Sequence, residues 1–400
     1  MKKLLLSFLL GTPFFSIAQE SYWIKQDSLF KYVQPVASLQ LWSAYTIGEK
    51  EQLSENGPLE RVQDRVNFLT RRARIGFKGK PYKKLSYALT IQYDNLGKDR
   101  FGAIRGGTNT GQLGILDAYA TWKITKNDIA SVTVGYFHPQ YSRECITGDL
   151  LVNSFDKSPS QTYIRQHING KSYGRTTGIN IGGMTRKNLI TIGYNVGIFN
   201  NNSTAANDTK YAETSGKYWS PLLVDRVTFS IGDHDMNTYS INYDANNYFN
   251  KRKGVTVGFN TTSQGKTDIF SSNGSLGADI LLNYKNVNFD AEWNSMYRRV
   301  EGNTREMKTY QIRIGYNIII ARKAFFEPSF MVMKFRGNEN AEASGEDIMY
   351  DAGINWYLNK KNCKLSLHYI KQKGNGDNGY TDEKTFKKGD FIGLGFVLII

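Results

Sequence analysis

Alternation with a period of two, sustained over unusually long segments, constrains this chain more than any other feature. In Leu85-Tyr87-Leu89-Ile91-Tyr93 each odd position is apolar or aromatic, and Ser86, Ala88, Thr90, Gln92 and Asp94 fill the even ones. The pattern returns at Ile190-Ile192-Tyr194-Val196-Ile198, Tyr310-Ile312-Ile314-Tyr316-Ile318, Ile348-Tyr350-Ala352-Ile354-Trp356-Leu358 and Ile392-Leu394-Phe396-Leu398-Ile400. Successive side chains of a strand point to opposite faces, so each segment carries one apolar face and one polar or small-residue face. Soluble sandwiches alternate too, but their strands run about 5–6 residues. These run about 9–13, long enough to cross a bilayer at a tilt. Tyr45, Tyr93, Tyr297 and Trp356 fall near the ends of apolar faces, where an interfacial girdle sits.

Other classes drop out quickly. Beyond the first twenty residues nothing approaches the ~18 apolar residues of a membrane helix. An aromatic content of 13% is far too high for a disordered chain. By length, 400 residues suggest two or three soluble domains, but the alternation points to one large β-structure. Cys145 and Cys363 make neither a disulfide framework nor a four-cysteine metal site, and whether they pair is left open.

The N-terminus reads as a secretory leader. Met1-Lys2-Lys3 is basic, Leu4 to Leu10 is an apolar run, and Ser16-Ile17-Ala18 places small residues before a cleavage point at Gln19. The expected organisation is a signal peptide at 1–18, a periplasmic segment at 19–38 and a barrel domain at 39–400. Loss of Lys2 and Lys3 lowers the formal net charge from +15 to +13.

A bacterial barrel closes with an even number of strands, short turns on the periplasmic side and long loops outside. The connections 80–84, 125–129, 185–188, 285–286, 320–322 and 359–362 are short. Strict alternation of short and long then predicts sixteen strands, near 39–47, 66–78, 85–94, 115–124, 130–137, 175–184, 189–199, 223–231, 254–262, 275–284, 287–297, 307–319, 323–335, 347–358, 363–371 and 389–400. Residues 232–253 become one long periplasmic connection; eighteen strands result if Tyr239–Asp244 spans. The predicted fold is an all-β, 16-stranded antiparallel transmembrane barrel, wide enough to leave an aqueous channel unless something fills it. Its longest outer connection is the third, Phe137 to Gly174.

Parity assigns charges to the interior. In the second strand Leu69, Ala73, Ile75 and Phe77 share the apolar face, which turns Arg72, Arg74 and Lys78 inward and leaves Arg71 at the rim or on a bulge. Lys123, Arg226 and Arg313 also read inward, opposed by Asp94, Asp117, Asp279, Glu292 and Asp351. Either these charges pair across a general pore, or a cation surplus with Arg143, Lys157 and Arg165 on the third loop forms an anion path. Guanidinium forks suit phosphate and carboxylate, and Arg and Lys rings line anion pores.

Several segments, in order, resemble the phosphate-selective porin O and P family in its Bacteroidota form. They are Arg71-Arg72-Ala73-Arg74-Ile75-Gly76-Phe77-Lys78-Gly79-Lys80, Asp117-Ala118-Tyr119 with Trp122-Lys123, Gly135-Tyr136-Phe137, and Gly193-Tyr194-Asn195-Val196-Gly197-Ile198-Phe199-Asn200. Arg226-Val227-Thr228-Phe229 and Gly277-Ala278-Asp279-Ile280 with Tyr284-Lys285 follow. The resemblance implies a usually homotrimeric porin of the cell outer membrane, its third loop folded inward as a constriction and its path lined by arginines. Small anionic or hydrophilic solutes and outer-membrane lipid are then the expected partners, with no nucleic acid and no cofactor. The family's paired serines and its Phe-x-Glu-Arg-Ser segment correspond here to Thr147-Gly148 and Phe155-Asp156-Lys157-Ser158. Lysine keeps the charge but loses the bidentate fork. The expectation is therefore passive diffusion with an anion bias, not strict phosphate selectivity.

Two other functions are weighed against this. A barrel-housed hydrolase finds no Ser or Asp motif around His138, His167, His234 or His368, and a two-histidine metal site at His138 and His167 lacks ligand spacing. A non-conducting structural or adhesin-like barrel would use the Gly- and Asn-rich loops 95–114 and 200–222, which read more simply as solvated.

Overall fold

The computed structural model describes residues 33–53, 57–105, 113–170, 173–200, 216–242, 245–337, 343–374, 377–378 and 389–400. The leader, most of the 19–38 segment and much of the 200–222 loop lie outside these. Sixteen long strands form one closed antiparallel barrel. They are β1 (Gln34–Ile47), β2 (Arg65–Tyr82), β3 (Leu85–Leu96), β4 (Gly114–Lys123), β5 (Ser131–Phe137), β6 (Thr176–Lys187), β7 (Ile190–Phe199) and β8 (Leu222–Gly232), followed by β9 (Gly254–Gln264), β10 (Ser272–Tyr284), β11 (Val287–Val300), β12 (Asn303–Tyr316), β13 (Phe325–Arg336), β14 (Glu346–Tyr357), β15 (Cys363–Gly374) and β16 (Asp390–Ile399). The seam is closed by β1 against β16, from Ser38 opposite Ile399 to Ile47 opposite Asp390. All sixteen expected strands are present, and the described part of 233–253 contains no strand. The first strand begins at Gln34 instead of residue 39.

One outer connection differs from expectation. The sequence reads 298–306 as a loop, yet β11 and β12 run on until only Glu301 and Gly302 separate them. Both residues have positive φ, 50° and 83°. That is the paired requirement of the two-residue hairpin turn whose twist matches its strands, and Gly302 meets it without a Cβ penalty.

Arg71 sits on a bulge. Gln40 opposes Arg72 while Leu41 opposes Thr70, so β2 carries one extra residue there. The parity of the strand flips across it. Val66 and Phe68 face lipid on one side of the bulge, and Ile75 and Phe77 on the other, while Leu69 and Arg72 are both buried inside. The sequence reading of Leu69 as outward is thereby corrected, and Arg71 is re-aimed inward.

The interior face is not uniformly polar. Trp42, Leu69, Met331, Met349, Ile370 and Phe391 form one buried apolar cluster with Phe155 of the third loop. Met296, Met307, Met333 and Phe335 form another with Tyr141, Tyr163, Ile164 and Ile168. Small residues make room for this packing: a methyl at Gly393 would lie 2.4 Å from the Phe155 ring.

Candidate functional site

Residues 138–170 turn into the barrel and carry two helices, α1 (Arg143–Ile146) and α2 (Ser160–Asn169). Helix α2 packs on β10, β11, β12 and β13. Its Tyr163 stacks on Phe335 with ring centroids 3.9 Å apart, and Phe155 stacks on Trp42 at 4.5 Å. Such stacks add about 0.5–1.5 kcal/mol each beyond their burial.

Irregular backbone at membrane depth survives only where protein or water satisfies it. Inward side chains of the strands do this here. Asp351 accepts from the Phe155 amide at 2.8 Å and Glu292 from the Glu144 amide at 2.9 Å. Lys364 donates to the Val152 carbonyl at 2.9 Å, and Asn355 donates to the Asn153 carbonyl at 2.6 Å. The polar interior face is therefore largely a template for the loop.

Against β2 the loop makes an ion cluster. Asp156 takes Arg71 and Arg72, each at 2.9 Å. Asp149 takes Arg74 at 2.7 Å, Lys157 at 3.3 Å and Arg72 at 3.7 Å, while Arg74 also reaches Asp94 at 2.9 Å. Four cations thus share three carboxylates. Burial raises the Asp149 carboxyl, but Arg74, then Lys157 and Arg72, hold it well below the usual range. Burial, then Arg165, pushes Lys157 down to about 8. A cavity of about 210 Å³ lies beside the cluster, between the loop and the wall; its lining is mostly apolar, with Val36, Leu116, Leu150, Leu151 and Ile399, and includes Arg74 and Asp149 of the cluster.

Across the barrel the balance reverses, with Arg143, Arg226 and Arg313 facing Asp235, Asp279, Glu144 and Asp290. Asp279 holds Arg226 through two bonds, 2.6 and 2.9 Å, and Arg143 at 2.7 Å. Arg313 binds Glu144 at 2.9 Å and Asp290 at 3.1 Å. Arg226 and Arg313 do point inward as parity predicts, but they are 1% and 0% exposed beneath the loop. They fasten the loop and are not bathed by solvent. Thr147 is likewise occupied, its hydroxyl donating to the Arg143 carbonyl at 2.9 Å. Lys123 pairs with Asp128 across its own turn, and Lys78 is exposed at the mouth.

The described part of the connection 233–253 also enters the lumen, which its length alone does not signal. Asp235 binds Arg143 of the third loop at 2.8 Å, Tyr239 donates to Asn195, and Asn246 donates to Asp290 at 2.6 Å. Asn242 reaches the Tyr119 hydroxyl at 2.9 Å.

All four histidines are buried. His167 bonds the carbonyls of Gly274 and Tyr297, each at 3.1 Å, and burial, then Arg298, lowers it to about 3. His138 is held well below its ordinary value by burial, then by Arg165, Arg175 and Lys157. Among the described residues neither ring nitrogen of His138 has a hydrogen-bond partner, nor has Nε of Arg165. These two side chains meet beside Gly174, where a methyl would lie 2.4 Å from Arg165 Cγ and 2.8 Å from His138 Cε1. His368 Nδ1 faces Asp351 at 2.5 Å, but its Nε2 meets Asn355 at 3.3 Å and no hydroxyl nucleophile. Among the described residues no three His, Cys, Asp or Glu side chains form a metal-binding group, and both cysteines are free.

The basic surplus has a second home. The short turns contain Lys83-Lys84, Lys126, Arg186-Lys187, Lys251-Arg252-Lys253, Lys285, Arg322-Lys323 and Lys360-Lys361. Their acidic residues are fewer: Asp128, already paired with Lys123, and, on the 233–253 connection, Asp233, which accepts the Lys253 amide at 2.9 Å, Asp235, which is committed to Arg143, and Asp244. The net charge does not report on the pore alone.

A closed sixteen-stranded barrel with an apolar outer belt and an occupied, charged lumen defines a porin-type channel of the outer membrane. The family model for phosphate-selective porin O and P matches residues 55–398, and the chain belongs to that family. Among solved structures it is similar to OprB of Pseudomonas putida, with a TM-score of 0.63 at 10% identity over 94% of this chain and 96% of that one. An anion-selective porin of Comamonas acidovorans matches with a TM-score of 0.54 at 10% identity, covering 92% and 99%. OmpF of Salmonella typhi, in complex with daunomycin, gives 0.55 at 13% identity, covering 92% and 97%. At these identities the likeness concerns the fold. No curated protein matches the sequence. In the outer membrane the short-turn rim faces the periplasm.

Proposed function

We propose that the channel conducts small hydrophilic solutes by passive diffusion, as a homotrimer, with a preference for anions that includes phosphate. The observation that carries this is the β2 cluster, where Arg71, Arg72, Arg74 and Lys157 outnumber Asp94, Asp149 and Asp156 beside the cavity. Arg165 and His138 extend the same surface with nitrogens that have no hydrogen-bond partner among the described residues. Buried donors without partners ask for a ligand or water. An ion would pass between loop and wall by Arg72 and Arg74 and leave past Lys78. Conduction needs several moderate sites, and carboxylates that share each guanidinium keep any one from binding too tightly. Lysine at position 157 is a point charge without a fork, which suits a range of anions better than strict phosphate recognition.

A non-conducting barrel is the second reading, favoured by the filling of the lumen from both ends. Single-channel recording in KCl separates the two, because a barrel without conductance overturns the channel. If millimolar phosphate reduces the chloride current, phosphate shares the path; chloride current indifferent to phosphate removes phosphate from the solute class. The trimer is checked by heat-dependent migration in a gel.

A further inference from the structure

At the short-turn rim, cations from three separate connections converge. Phe249, on the connection between β8 and β9, packs against Phe325 of β13 and Tyr357 of β14, with ring centroids 5.3 and 5.0 Å apart. This brings Lys251 toward the turns 317–324 and 358–362. Those turns are joined to each other by the Lys360 amide donating to the Lys323 carbonyl at 2.9 Å. Lys251, Arg322 and Lys323 are exposed, Lys360 is half-buried, and among the described residues none of the four is ion-paired to a carboxylate. Partial desolvation, then Lys251, Arg322 and Lys323, pull the Lys360 ammonium below its usual value, so the four share one field.

The residues beside them are apolar and face outward. Ile319 and Ile320 are 59% and 56% exposed, and Trp356, stacked on Phe326 at 5.4 Å, is 40% exposed. Water is a poor neighbour for such a shelf, whereas the edge of a bilayer provides acyl chains beside it and headgroup phosphates at the level of the turns. Like charges held together without a carboxylate repel unless a counter-anion lies among them. Free phosphate would answer the charge but leave the shelf uncovered.

We propose that this rim cluster binds anionic phospholipid of the inner leaflet. The phosphate lies among Lys251, Arg322, Lys323 and Lys360, and the acyl chains lie along Ile319 and Trp356. The site is separate from the solute path and does not depend on its selectivity.

The test is native mass spectrometry of the purified barrel after exchange into micelles containing phosphatidylglycerol or phosphatidylcholine. Three proteins are compared: the parent, a variant with Lys251→Gln, Arg322→Gln, Lys323→Gln and Lys360→Gln, and a control with Lys50→Gln, Lys217→Gln, Lys266→Gln and Arg299→Gln on the opposite rim. Heat-modifiable migration confirms that each is folded, and a destabilised quadruple variant is replaced by the Lys323→Gln, Lys360→Gln pair. The parent and control should retain phosphatidylglycerol over phosphatidylcholine by about tenfold or more, and the rim variant should lose that preference. Equal retention by parent and rim variant overturns the proposal, as does an equal loss in the control. Displacement of the lipid by inorganic phosphate reassigns the cluster to solutes and also overturns it, and so does tighter binding of soluble peptidoglycan fragments. Because the readout is lipid, its failure leaves the anion-channel reading untouched.

Discussion

Inside the barrel, Arg143, Arg226 and Arg313 are buried and every one of them ends on a carboxylate. At the periplasmic rim, Lys251, Arg322 and Lys323 are exposed and, among the described residues, end on none. The contrast follows from solvation. A buried charge without a partner is costly, whereas an exposed one is stabilised by water and ions. The choice of residue follows as well: the planar, weakly hydrated guanidinium predominates inside, where one carboxylate must bind two cations, and the strongly hydrated ammonium predominates outside. Much of the positive charge of the chain therefore belongs to the rim. What remains inside is a small local excess at β2.

The largest test of this contrast is Asp279→Ala, which removes the buried carboxylate that Arg226 and Arg143 share and leaves Arg143 with Asp235. It should cost about 3–5 kcal/mol in urea unfolding of the folded barrel. Lys323→Gln, measured the same way in zwitterionic lipid, should stay within about 0.5 kcal/mol. Similar values for the two would erase the distinction between interior and rim.

Next comes the periplasmic connection. Replacing 236–249 with a short Gly-Ser linker removes the lumen contacts of Tyr239, Asn242 and Asn246 while leaving Asp235 on Arg143. Single-channel conductance should rise severalfold. Unchanged conductance would mean that this segment lies beside the ion path instead of across it.

A smaller effect is set by pH. His138 and His167 are held below the ordinary histidine value of 6.5, so the unfolded or undocked loop binds protons that the docked loop refuses. Docking is fully stable above pH 6.5 and weakens as pH falls below it, by about 1.4 kcal/mol per pH unit for each histidine. For His167 the window extends to about pH 3. Relative to the intrinsic base-catalysed rate, protection of third-loop amides against hydrogen exchange should fall between pH 7 and pH 5, less so in His167→Gln. The rim variant should keep the parental pH slope, since the rim cluster contacts neither histidine; an altered slope would couple rim and loop.

Strand number and placement were legible because period-two alternation is a local property of the chain. The inward set Arg72, Arg74, Arg226 and Arg313 followed from the same parity, and the bulge at Arg71 was foreshadowed by its wrong phase. Leu69 was misread because a bulge reverses parity without any mark in composition. The partners of those arginines were not legible. Asp149 and Asp156 lie on a loop with no period, and Asp235 lies on a connection whose entry into the lumen depends on its ends being held by β8 and β9. Glu327 and Lys364, which serve the third loop, could have been found by extending parity to β13 and β15. The rim cluster needed the topology, since Lys251, Arg322 and Lys360 are distant in sequence.

The most direct test of the central claim, a residual positive charge beside the path at β2, is the reversal potential across a planar bilayer under a KCl gradient. The parent channel should be anion-selective, and Arg74→Gln should move the potential toward the cation side. A parent channel that selects cations, or an Arg74→Gln channel with unchanged selectivity, would contradict the account.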